Sequence, residues 1–71
     1  MNDSCFAVKD KNGLYYCGYK SWDKQLRKAK LFHSFYYAKL VRDDVKWMER
    51  ETKIIKVTIT EEYDYNPDWE L

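Results

Sequence analysis

The stretch from Ser34 to Glu49, SFYYAKLVRDDVKWME, is the one segment long and periodic enough to demand a helix, so the rest of the chain must be arranged around it. At helical spacing Tyr37, Leu40, Val41, Val45 and Met48 fall on one face, and Phe35, Ala38 and Trp47 widen it. Such a stripe is expected to face a core. Ser34 suits the N-cap, because its hydroxyl can accept a hydrogen bond from an otherwise orphan amide of the first turn. Lys39, Arg42, Asp43 and Lys46 take the side expected to meet water.

A helix of 16 residues, about 24 Å long at 1.5 Å per residue, needs a partner layer, and the 71-residue chain supplies it from β-rich runs. CFAVKD (5–10) and LYYCGY (14–19) flank Lys11-Asn12-Gly13, a strong hairpin signal. Two registers fit. A two-residue Asn-Gly turn sets Val8 opposite Cys17, so that Phe6 and Val8 share a face with Tyr15, Cys17 and Tyr19. A three-residue type I turn with Gly13 left-handed sets Val8 opposite Tyr16, and Asp10 suits its first position. Residues 53–60, KIIKVTIT, form a β-branched run with Ile55, Val57 and Ile59 on the side expected to be buried and Ile54, Lys56 and Thr58 on the other. Between hairpin and helix the spacing predicts a helical turn at about 22–27 and an extended edge piece at 28–33. After residue 62, Pro67 and the acids argue for an irregular acidic aromatic tail, 63–71.

The expected fold class is α+β: a small antiparallel sheet of three strands, or four with the edge piece, and one main helix packed on one face. Residues 1–62 form the domain. One helix can shield only one face, so the other is expected to meet a second copy, making a homodimer, or to be covered by the tail through Tyr63, Tyr65 and Trp69.

So short a chain buries a small share of its surface, and it compensates with 13 aromatic side chains. With 35% charged residues it is neither a membrane span nor a disordered chain. The N-terminus, MNDSCFAVKD, lacks the basic start and apolar core of a signal peptide, so a cytoplasmic protein is expected.

Little in the sequence points to catalysis. Cys5 and Cys17 are too few for a disulfide scaffold or a zinc site and read as small strand residues. A thiol nucleophile would need a base, and His33 is the one histidine, placed where the helix begins. The adjacent acids Asp43-Asp44 and Glu61-Glu62 read as solvated rather than as an acid/base pair. No metal-ligand spacing or phosphate-cradling glycine loop is present in the sequence, so no enzyme activity, cofactor or metal is expected.

The charges are more informative. The net charge of +1 hides a dipole: Lys20–Lys30 holds five basic residues against Asp23, while Glu61–Leu71 holds five acidic residues and no basic one. Tyr63, Tyr65, Asp68 and Trp69 are the candidates for anchoring a protein partner, with Tyr65 and Trp69 foremost. The alternative is nucleic-acid binding through Lys20, Lys24, Arg27, Lys28 and Lys30 with Tyr19 or Trp22 stacking on bases. The acidic tail would oppose this unless it lies far from the basic segment.

The hairpin FAVKDKNGLYYCGY, Trp22, KAKLFHS before the helix and KIIKVTI after it together resemble short proteins encoded by phages and prophages of Gram-positive bacteria. The resemblance covers roughly residues 5–60 and rests on Asn12-Gly13, Ala29, Phe32, Ser34, Ala38 and the Val57 strand. It leaves out the acidic tail and the paired Tyr36 and Tyr37, and it carries no functional residue across. It implies a small accessory protein that binds and inhibits a host or defence protein, without catalysis.

Overall fold

The computed structural model describes residues 3–19, 21–45, 51–61 and 64–70. Strands β1 (Asp3–Asp10), β2 (Tyr15–Gly18) and β3 (Ser21–Asp23) are followed by a 3-10 turn (Leu26–Lys28), helix α1 (Phe35–Val45), and strands β4 (Thr52–Glu61) and β5 (Asp64–Glu70). The strands make one antiparallel sheet in the order β3-β2-β1-β4-β5. This is the expected α+β class, with five strands in place of three or four.

The first hairpin takes the three-residue turn. Lys9 lies opposite Tyr15, the Asp10 carbonyl accepts from the Gly13 N–H, and Gly13 is left-handed at φ 85°. Asp10 fixes this choice, because its Oδ1 accepts from the amides of Asn12 at 2.9 Å and Leu14 at 2.8 Å. That side chain is only 5% exposed, and the two amides offset the cost of burying its polar oxygens.

β1 and β4 run side by side from Asp3↔Ile59 to Asp10↔Thr52 and form the centre of the sheet. Side chains alternate across it. Phe6 meets Phe35 of α1 edge to face at 5.8 Å, so the helix lies on the side that also carries Val8 and its partner Ile54. Ala38 is fully buried, which lets the helix approach closely. Ser34 is the N-cap as expected: its Oγ accepts from the Tyr36 N–H and its carbonyl from the Ala38 N–H.

Which helix face turns inward differs from the expected stripe. Ala38 is buried and Phe35 and Val41 are half-buried, whereas Tyr37 and Leu40 are exposed. The inward stripe therefore runs through Phe35, Ala38 and Val41, because a small residue facing the sheet permits a closer contact than Tyr37 would. Lys46, Trp47, Met48 and Glu49 lie outside the described residues.

The opposite sheet face is covered within the chain. Ala7, Ile55 and Val57 form its buried centre, and Leu26, Ala29 and Leu31 of the β3–α1 connection pack on them with Tyr15, Ile59 and Tyr65. β4 is thus buried on both sides at Ile54 and Ile55, where one buried side was expected. The face away from the helix, expected to meet a second copy or the tail, is thus covered in part by this connection and by Tyr65 of β5.

Two other segments depart from expectation. Residues 22–23, expected at the start of a helical turn over about 22–27, instead belong to β3, paired with β2 through Tyr15↔Asp23, Tyr16↔Trp22 and Gly18↔Ser21. The helical part is confined to Leu26–Lys28, and the extended piece after it bridges β1 through reciprocal Phe6 and Phe32 backbone hydrogen bonds. The segment expected as a tail is β5, paired with β4 through Ile59↔Tyr65, Thr58↔Asn66 and Val57↔Pro67. Pro67 is tolerated because β5 is an edge strand, where a missing N–H need not break a ladder on both sides.

Candidate functional site

Of the protein-binding set, Tyr65 is half-buried on the Ala7, Ile55 and Val57 cluster, so its ring is engaged in holding β5 down. Asp68 Oδ2 accepts a hydrogen bond from Thr58 Oγ1, a cross-strand contact within the sheet. Trp69 lies in β5 opposite Lys56. Tyr63 is outside the described residues. Tyr65, Asp68 and Trp69 belong to a strand rather than to a free arm.

The exposed aromatic surface lies elsewhere. Tyr36 is 63% exposed, Tyr37 61% and Leu40 47%, and the two tyrosine rings meet edge to face at 5.8 Å. The geometry follows from helix periodicity: positions 36, 37 and 40 are neighbours on the side away from Ala38. Exposed Lys39, Asp43 and Asp44 surround them, and Asp43 pairs with Arg42 at 3.4 Å. Sequence reasoning missed this patch because it assigned Tyr37 and Leu40 to the core. The adjacent pair Tyr36-Tyr37 was the available signal, since two consecutive positions on a helix cannot both face the centre of one contact.

The basic candidates form a second exposed region. Lys24, Arg27, Lys28 and Lys30 are all exposed, while Lys20 lies outside the described residues. Tyr19 is fully exposed and left-handed at φ 52°. Trp22 is half-buried and packs edge to face on Tyr16 at 5.5 Å, so it supports the hairpin from within. Gly18, also left-handed at φ 93°, and the bond from Ser21 Oγ to the Gly18 carbonyl close the β2–β3 turn.

The thiols are poorly placed for nucleophilic work. Burial pushes the Cys5 thiol up, with Asp3 adding to the effect. Burial also raises that of Cys17, reinforced by Asp23 and opposed by Lys28. Both therefore remain protonated at neutral pH. Among the described residues no three His, Cys, Asp or Glu side chains gather as a metal site. An open depression of about 320 Å³ at the end of β1 and β4 is lined by Lys9, Asp10, Lys11, Glu51, Thr52 and Lys53, a mixture of both charge signs. No described helix is long and apolar enough to cross a membrane.

Comparison of the chain with protein-family models, with curated proteins and with solved structures finds no match.

Proposed function

We propose that the chain is a non-catalytic protein-binding module, of the kind the likeness to phage accessory proteins implies, that docks on a host or defence protein and blocks it. The observation that carries this reading is the outward face of α1, where Tyr36, Tyr37 and Leu40 stand exposed together. Tyrosine is an effective interface anchor, since a large apolar ring is fixed by few torsions and ends in a hydroxyl that can bond at the rim. On so small a protein, three such side chains held by a helix favour a partner over plain solvent. The raised thiol pKa values support the non-catalytic part of the reading.

This moves the proposed contact from 63–71 to α1, because Tyr65 and Asp68 are used within the sheet. The test compares the full chain with a Tyr36→Ser, Tyr37→Ser, Leu40→Ser variant in capture from a Gram-positive bacterial lysate, with circular dichroism to show that both are folded. A protein recovered by the native chain and lost by the folded variant is expected. Identical recovery by both would remove α1 as the contact.

A further inference from the structure

Tyr19 combines two features that rarely occur together: its backbone is left-handed and its side chain is wholly exposed. A left-handed conformation costs an L-residue roughly 1–2 kcal/mol, and asparagine or glycine would fill the turn more readily. Nothing in the packing repays the cost, since the ring covers no apolar neighbour. Strain retained without packing in return is a reason to look for function.

The surroundings indicate its nature. The Lys30 N–H donates to the Tyr16 carbonyl at 2.8 Å, which ties the basic segment to β2 just before the turn. A β-carbon placed on Gly18 would lie 3.6 Å from the Lys30 side chain, so Lys30 passes directly beside the residue preceding Tyr19. Lys28 lies close enough to Cys17 to act on its thiol. Ala29 between them is extended, so Lys28 and Lys30 are about 6–7 Å apart along the backbone, on the scale of successive phosphates in an extended strand.

We propose that the β2–β3 turn is a contact site for single-stranded nucleic acid, in which the Tyr19 ring stacks on a base while Lys28 and Lys30 pair with the flanking phosphates. Stacking requires a ring with an accessible face, and Tyr19 leaves its whole surface open. Of the C-terminal acids, which would repel phosphate, Asp68 accepts from Thr58 on the sheet face that α1 covers, whereas the connection carrying Lys28 and Lys30 packs on the opposite face. This site is independent of the α1 surface, and each can fail without the other.

The test is fluorescence anisotropy of a labelled oligothymidylate titrated with the full chain at about 50 and about 200 mM salt. Two to four phosphate contacts predict a loss of affinity of about 7- to 50-fold over that range. Tyr19→Asn is expected to weaken binding about tenfold while the melting temperature stays equal or rises, a split that a purely structural tyrosine would not produce. Lys28→Glu with Lys30→Glu should weaken binding and flatten the salt dependence. No anisotropy change at the lower salt, or Tyr19→Asn binding like the native chain, would overturn the proposal. A labelled polyglutamate peptide binding as tightly as the oligonucleotide would also overturn it, assigning the turn to acidic peptides instead.

Discussion

Asp10 shows how a single side chain selects between two registers. Its carboxylate takes the amides of Asn12 and Leu14, and that geometry exists only in the three-residue turn. Asp10→Ala is expected to cost about 2 kcal/mol, since a buried charge-assisted acceptor is lost and two amides are left without it. Asp10→Asn keeps an oxygen at Oδ1 and should cost less than about half as much. Urea midpoints of the two variants measure the difference, and a negligible loss in both would show that the carboxylate does not set the turn. The Asn12-Gly13 signal was legible in the sequence, as was Asp10's suitability for the turn's first place. Tyr19 was not legible as a turn residue, because tyrosine disfavours positive φ and the residue-level rules for turns therefore point elsewhere.

At the scale of elements, α1 was recognisable from its period and from Ser34, but its rotation about its axis was not. Hydrophobicity alone ranks Tyr37 and Leu40 above Ala38, whereas close packing of helix on sheet rewards the small side chain. Ala38→Leu is accordingly expected to destabilise by about 1–3 kcal/mol through overpacking. Tyr37→Ser and Leu40→Ser, on the exposed side, should each stay within about 0.5 kcal/mol of the native chain. Thermal melts of the three variants check this orientation, which reverses if Tyr37→Ser proves the most damaging. β5 was missed for a related reason. Asp64, Asn66, Asp68 and Glu70 alternate with Tyr65, Pro67 and Trp69, a period of two that signals a strand, but the weight given to proline and net charge hid it. Both features suit an edge strand, where the polar side chains reach neighbours such as Thr58 and Thr60.

At the scale of the whole molecule, the stability of so small a chain depends on covering both sheet faces. α1 shields one, and the run from Leu26 to Leu31 shields the other with help from Tyr65. A chain ending at Glu62 would lose β5, expose the ladder groups of β4 and remove Tyr65. The loss from the ring alone is on the order of 2–3 kcal/mol, a large share of the roughly 5–15 kcal/mol that holds a domain together. The truncated chain is expected to melt at a clearly lower temperature and to aggregate, as calorimetry and size-exclusion chromatography would show. An unchanged melting temperature would mean that β5 is dispensable. The two-layer α+β plan was legible because periods of 3.6 and 2 are local; the second cover was not, because Leu26, Ala29 and Leu31 are divided between a short turn and an extended piece and acquire their role only when the chain returns across the sheet.

The order of strands also decides what the two edges of the sheet offer to another chain. β3 is only three residues long, Pro67 offers no N–H, and the pairing of β5 is interrupted by two register shifts. Edges broken in this way make poor templates for a further strand, so concentrated solutions should stay free of cross-β order, which the absence of a thioflavin signal on prolonged incubation would show.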